Sequence, residues 1–403
     1  MTGIRMGRRA ALAAGLAAVA SPAVVRAQSS PGGGDPIKLA TLTPLTGAGG
    51  SYGPTMAKVA AAVVEEVNKA GGVLGRRVVL VSEDDQTSPE AGVRAARKLI
   101  DVDKAAAIMG TWASSVTTAV APLCWESKTF LTTTSGADSI TQLPHQGYLV
   151  RTQPNSTLQV TRSGEFMLSL GAKKVFTMIP QTPFTQATFD LMGKVLPKGG
   201  ATHQGLIYDD KKNTYRTEVD QALRADPDMI FAAGYTPDTI VLLKDIYRAG
   251  YKGKIIGFGY SINQKLLDQI GQPEVVEGVY TYSPSPAEGS GAYEKVKAAT
   301  GSANPDPYTC QVYDHVNLVL LAIANAKAAT GEAIKDSIRK SAQGGGKSVD
   351  NAVDGIKAIA AGEKVDYTGA SGPCDFDDKG DILDCKFRYD QVKSGKFTLV
   401  KIA

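Results

Sequence analysis

Residues 37–81, IKLATLTPLTGAGGSYGPTMAKVAAAVVEEVNKAGGVLGRRVVLV, decide the fold. Ile37–Thr41 reads as a short strand. Met56, Val59, Ala60, Val63, Val64 and Val67 then recur at i, i+3, i+4, i+7, i+8 and i+11, one apolar stripe of a helix. Val78–Val81 is a second strand. Strand, helix and strand in this order form a parallel unit, because a crossover helix must bring the chain back to the same end of the sheet.

The alternation continues along the chain. A helix opened by Ser88-Pro89-Glu90 leads to a strand at Ala105–Met109, a helix over Ser115–Ser127 and a strand at Phe130–Thr132. A second series follows, with strands at Lys174–Ile179, Gly205–Tyr208, Met229–Ala232 and Ile255–Gly257 and helices between them. Two such series predict two α/β domains, each a parallel sheet covered on both faces. The helix around Val316–Ala324 is apolar nearly all round, as a buried helix is. The chain's 403 residues, 43% hydrophobic and 21% charged, suffice for two cores and exclude a disordered protein.

The net charge of +4 resides in residues 1–27, where Arg5, Arg8, Arg9 and Arg26 face no acidic residue. The remainder is balanced and has no dense basic run, so nucleic acid and anionic membranes are not expected partners. The arginines, the apolar stretch Ala10–Ala23 and Val25-Arg26-Ala27 read as a signal peptide over 1–27, either general or twin-arginine, which predicts a periplasmic protein. Export makes disulfides the natural reading of the cysteines. Cys374 and Cys385 lie symmetrically about Asp378-Lys379-Gly380-Asp381 and are expected to bridge a hairpin; Cys124 and Cys310 are the remaining pair.

Catalytic and metal motifs are near misses. Gly344-Gly345-Gly346-Lys347-Ser348 ends like a phosphate loop, but Ser341 stands where its first Gly is needed, and a helix–helix loop is expected there. Asp375-x-Asp377-x-Lys379-Gly380 mimics a calcium loop with Lys379 and Lys386 at ligand positions. Gly257-Phe258-Gly259 lacks the third Gly of a dinucleotide fingerprint. His145, His203 and His315 complete no metal set and accompany no nucleophile. The expectation is a non-enzymatic protein with no metal or cofactor.

Ligands of open α/β sheets bind at the carboxyl ends of the strands. Here those ends carry Thr43–Gly53, Gly110–Ser115 and Thr132–Asp138, rich in Gly, hydroxyls and aromatics. Ser114-Ser115 at a helix start offers N–H groups and hydroxyls to a carboxylate; the alternative is that Ser114 only caps its helix.

The chain resembles the type I periplasmic solute-binding proteins of the branched-chain amino-acid group. The resemblance rests on Leu42–Gly47 with Tyr52-Gly53, Asn68–Arg76, Asp84-Asp85 with Ser88-Pro89, and Gly110 with Ser114-Ser115. Ala225–Asp228, Tyr308 with Tyr313-Asp314, and Gly372–Asp381 add to it. It implies two doubly wound parallel-sheet lobes joined by three crossover segments, with 28–153 plus 283–365 in lobe 1 and 154–282 plus 366–403 in lobe 2. A small-molecule ligand would be enclosed between them and passed to membrane permease subunits of an ABC transporter. The resemblance puts the carboxylate grip at Ala113, Ser114 and Ser115. Gly136, Ala137 and Asp138 fall on the same edge, and Tyr52, Trp112, Phe184, Tyr235, Tyr260 and Tyr313 at wall positions. Gly259 replaces the acidic residue that neutralises an α-ammonium in amino-acid binders, and Asp138 is the substitute candidate. An apolar amino acid is the leading ligand. Amine-free aromatic or aliphatic acids and amides are the alternative, as is a ligand module serving a membrane sensor.

Overall fold

The computed structural model describes residues 34–403; the signal-peptide reading of 1–27 lies outside the described residues. The first lobe runs β1 (Ile37–Thr43), α1 (Gly53–Lys69), β2 (Val78–Asp84), α2 (Pro89–Arg97), β3 (Ala107–Thr111), α3 (Ser114–Glu126), β4 (Phe130–Thr133) and β5 (Leu149–Arg151). The second runs α4 (Ser156–Ser169), β6 (Lys174–Pro180), α5 (Pro183–Lys198), β7 (Thr202–Tyr208), α6 (Arg216–Arg224), β8 (Met229–Ala232), α7 (Thr236–Arg248), β9 (Lys254–Phe258), α8 (Gln264–Gln269) and β10 (Tyr280–Pro284). The chain then returns to the first lobe through α9 (Gly291–Thr300), α10 (Pro307–Ala326), α11 (Gly331–Ala342), β11 (Lys347–Val349), α12 (Ala352–Ala360), β12 (Val365–Gly369) and β13 (Gly372–Pro373), before β14 (Phe387–Lys393) and β15 (Lys396–Ile402) complete the second sheet.

Both sheets repeat one strand order. The first is β2-β1-β3-β4-β5 and the second β7-β6-β8-β9-β10, extended by the antiparallel pair β14-β15. Every neighbouring pair from β1 to β10 is parallel, so helices cover both faces of each sheet. In this order the switch point lies between β1 and β3, and again between β6 and β8; a ligand crevice is expected above it.

The opening stretch shows how sequence builds this arrangement. All six residues of the α1 stripe are buried. The helix stops where Gly71 and Gly72 take positive φ, and a Cβ on Gly72 would stand 2.0 Å from the Arg76 carbonyl oxygen. Asn68 then fixes the next strand, donating to Val78 O and accepting from Val78 N–H, both at 2.8 Å.

Three differences from the sequence reading have physical causes. All four cysteines are free. Phe376 pairs with Ile382, and Leu383 N–H donates to Asp375 O, so Cys374 stands opposite Asp384 rather than Cys385. A shift of one residue sends the two thiols to opposite faces of the hairpin. Cys124 and Cys310 are each buried in the first core. Second, the triple glycine leads into the short strand β11, which pairs with β12, rather than a plain loop. Third, Tyr367, Ala370, Cys374, Phe376 and Ile382 belong to the first core. The chain therefore stays with the first lobe beyond residue 365 and rejoins the second only at Phe387, which lies in the second lobe's core. Among the described residues no helix is long and apolar enough to cross a membrane.

Candidate functional site

The loops at both switch points meet in one cavity, with an empty volume of about 660 Å³ including its open mouth. From the first lobe, Trp112, Ala113, Ser114 and Ser115 follow β3, and Thr134 and Gly136 follow β4. From the second, Pro180 ends β6 and Thr182, Phe184 and Thr185 follow it, Gly234 and Tyr235 follow β8, and Phe258 ends β9 with Gly259 and Tyr260 after it. Gln153 and Pro284, next to two of the crossovers, complete the lining with Gln159, Tyr282, Ser283 and Tyr308.

Two helices present N-terminal ends without a side-chain cap to this space: α3, entered from Ala113, and α7, entered from Tyr235. Their N–H groups and dipoles favour an anion. Ser114 Oγ accepts from Ala137 N–H at 3.2 Å, which leaves its own proton free to donate. Thr134 Oγ1 is buried without a partner among the described residues. Gln311, on α10, donates to Gln153 Oε1 at 2.7 Å, which turns the Gln153 amide N–H₂ away from that contact.

The remaining wall is aromatic. Trp112 lies 5.8 Å from Tyr235 and 5.9 Å from Tyr260 between ring centroids, so the lobes touch ring to ring across the cleft. Behind it, Tyr52 packs 5.5 Å from Trp112 and its hydroxyl accepts from Asn263 of the second lobe at 2.8 Å. Burial pushes the Tyr235 phenol up to about 12, with Asp210, Asp85 and Asp238 adding to it; burial likewise holds Tyr260 well above the usual phenol range. These hydroxyls are neutral at ordinary pH. Tyrosines aside, no titratable side chain among the described residues lines the cavity.

Of the residues singled out from the sequence, Trp112, Ala113, Ser114, Ser115, Gly136, Phe184, Tyr235 and Tyr260 line this space together. Four do not. Tyr52 supports Trp112 from behind. Ala137 is buried and contributes its N–H to Ser114. Asp138 faces α4, accepting from Thr157 N–H at 3.1 Å and Thr157 Oγ1 at 2.6 Å, so its carboxylate serves that helix start. Tyr313 is a core residue of α10 whose hydroxyl donates to Asp350 O at 3.0 Å.

Sequence reasoning missed Thr134, Gln153, Gln159 and Tyr308 as lining residues. Thr134 belongs to the hydroxyl-rich stretch Thr132–Asp138 at the end of β4. Gln159 was findable as a polar residue on the buried side of α4. Gln153 carries no local pattern.

Two α/β lobes of repeated topology that line one cleft from both sides define a two-lobed binding protein. The sequence matches the family described as periplasmic binding protein over residues 36–396, and the chain belongs to that family. An amino acid binding protein of Pseudomonas aeruginosa is 26% identical over 71% of this chain and 77% of its own length. The chemotactic signal transduction system substrate-binding protein BasB of Halobacterium salinarum is 26% identical over 85% of this chain and 84% of its own. Among solved structures, the leucine binding protein LivK of Thermotoga maritima superposes with a TM-score of 0.78 at 23% identity, covering 91% of this chain and 98% of that one. A solute binding protein of an ABC transporter from R. palustris, in complex with 4-hydroxybenzoate, gives 0.75 at 19% identity, covering 92% and 97%. Each of these relatives and neighbours is named as a binding protein for a small solute or substrate.

Proposed function

We propose that the protein is the exported solute-binding component of an ABC uptake system and that its ligand is an amine-free aromatic carboxylate of about benzoate size. One observation carries the choice of ligand: among the described residues, none that lines the cavity carries a carboxylate. An enclosed ammonium without a charge partner is costly, and Asp138, the candidate counter-ion, is engaged by Thr157 outside the cavity. The aromatic rings offer no open cage for a cation either, because Trp112, Tyr235 and Tyr260 pack on one another at 5.8–6.4 Å.

A carboxylate fits the uncapped start of α3, with Ala113, Ser114, Ser115 and Gly136 around it. An aromatic body fits against Trp112, Phe184, Tyr235 and Tyr260, where apolar surface is removed from water. The solved structure with 4-hydroxybenzoate supports such a ligand on this fold. Delivery to membrane permease subunits from the periplasm, following removal of residues 1–27, completes the reading. Thermal unfolding with benzoate, 4-hydroxybenzoate, leucine and isoleucine tests it. A ligand at about 100 times its Kd adds about 2.7 kcal/mol of stability. Stabilisation by the benzoates alone is expected; stabilisation by leucine or isoleucine alone overturns the ligand assignment. The similarity to BasB favours one second reading, in which the closed lobes are presented to a membrane sensor instead.

A further inference from the structure

The loop after β4 places Gly136 in the cavity wall, and its backbone polar groups can be followed one by one. Ser135 N–H donates to Thr133 Oγ1 at 3.1 Å. Ser135 O accepts from Arg151 Nη1 at 3.4 Å, and Ala137 O accepts from the same nitrogen at 2.6 Å. Gly136 O accepts from Ser156 Oγ at 2.9 Å, and Ala137 N–H donates to Ser114 Oγ at 3.2 Å. Gly136 N–H is the group left without a partner among the described residues. Buried backbone N–H groups are nearly always paired, so a free one on a cavity wall marks a ligand contact.

Its direction follows from the peptide plane. The described chain contains no cis peptide bond, so the Ser135 carbonyl and the Gly136 N–H lie in one plane and point in opposite directions. Arg151, which does not line the cavity, draws the carbonyl toward itself, so the N–H of the lining residue Gly136 faces the other way. The guanidinium is fully buried and is itself fixed: Nε donates to Asp381 Oδ1 at 2.5 Å and Nη2 to Thr141 Oγ1 at 3.1 Å. Asp381 also accepts from Asn155 at 3.3 Å, beside the first crossover.

We infer that Arg151 is a positioning residue for an anionic ligand. It aims the Gly136 N–H at the carboxylate and polarises that amide from behind, without touching the ligand. The inference rests on the carboxylate reading above. It differs from a merely structural role because it acts on the ligand's charge. A neutral ligand of the same shape gains little from a polarised N–H, whereas an anion gains strongly.

The test compares benzoate with benzamide by calorimetric titration, in the wild-type chain and in the double variant Arg151→Met/Asp381→Asn, which leaves no lone buried charge. The wild type is expected to prefer benzoate, and the double variant to lose at least about tenfold of that preference. An unchanged benzoate-to-benzamide ratio, including an equal loss for both, overturns the inference while leaving the carboxylate reading intact. Failure of the wild type to bind benzoate or any other carboxylate overturns the ligand reading and this inference with it. If the double variant does not fold, the amide proton of Gly136 in the wild type decides. A downfield shift with benzoate that benzamide does not reproduce is expected; the same shift with both, or none, overturns the inference.

Discussion

Replacing Gly136 with Ala separates lobe closure from folding. Gly136 belongs to the first lobe, and a Cβ there would stand 2.7 Å from Phe184 Cε2 and 2.8 Å from Gln159 Nε2, both in the second. Ordinary carbon contacts begin at about 3.5 Å, so the Phe184 ring must retreat by nearly 1 Å. It has little room, because it packs 5.0 Å from Phe258 and 6.1 Å from Tyr260 between centroids. Overpacking of this kind costs about 1–3 kcal/mol. The clash exists only while the lobes face each other closely, so the cost falls on closure. Affinity for benzoate should therefore drop by about 5- to 150-fold in calorimetric titration. The unfolding midpoint of the ligand-free protein should stay close to the wild-type value. If folding absorbed the strain instead, each kcal/mol would lower that midpoint by roughly 2–4 °C. A lowered midpoint with unchanged affinity refutes the reasoning.

Other expectations follow from single residues. Asp85 is fully buried, with Oδ2 unpartnered and only Thr87 N–H on Oδ1; burial pushes its carboxyl up to about 7, with Asp84 adding to it. A raised carboxyl favours folding below its unfolded value and loses that advantage as pH rises from about 4 to 7, a cost of order 4 kcal/mol at about 1.36 kcal/mol per unit. Asp85→Asn should flatten the fall in stability over that window in urea unfolding; an unchanged pH profile refutes the assignment. Asp138→Asn should leave benzoate affinity within about twofold, since its carboxylate serves Thr157, and an affinity loss of 2 kcal/mol or more returns Asp138 to the ligand. Trp112→Phe should abolish most of the ligand-induced emission change, because Trp125 lies outside the cavity lining; a full signal in the variant refutes this. Peptide mapping without reductant should find Cys374 and Cys385 unlinked, in keeping with their offset register.

The elements were legible because each carries its own period. The Met56–Val67 stripe, the apolar strand runs and the buried helix at Val316–Ala324 all appear where the sequence pattern puts them, although β2 and β7 extend three residues further and α10 already begins at Pro307. The cleft edge was legible for a related reason: strand ends are local features, and the parallel-sheet rule says which end matters. What was not legible is register and reach. Cys374 and Cys385 are symmetric about their turn, yet an offset of one residue in the actual pairing undoes the bridge. Asp138 sits two residues from Gly136 and still points out of the cavity, because a short 3-10 turn at Asp138–Ile140 aims it at α4. Gln153 lines the wall without a local signal, and the partner that fixes its amide, Gln311, lies far away in sequence.

That last contact belongs to a pattern that bears on how the lobes move. Gln311, Asp314 and His315 lie on one face of α10, inside the first core, where burial of polar groups requires partners. Gln311 and His315 hold the first crossover, through Gln153 at 2.7 Å and the Thr152 hydroxyl at 2.8 Å. Asp314 holds the segment after β12, which leads toward the third, accepting from Ala370 N–H at 2.7 Å, Ser371 N–H at 2.8 Å and the Tyr367 hydroxyl at 2.8 Å. Burial pushes the Asp314 carboxyl up to about 6 despite these donors, and holds His315 down at about 3, so the imidazole stays neutral. Breaking any of these contacts would strand a buried polar group at about 1–3 kcal/mol. Opening and closing are therefore expected to leave them intact and to turn about the residues beyond, after Gln153 and between Ile382 and Phe387. The cavity floor at Gln153 then stays with the first lobe throughout. A ligand that lands on the open first lobe meets Gln153, Ser114 and Gly136 already in place, and closure adds the aromatic wall of the second lobe last.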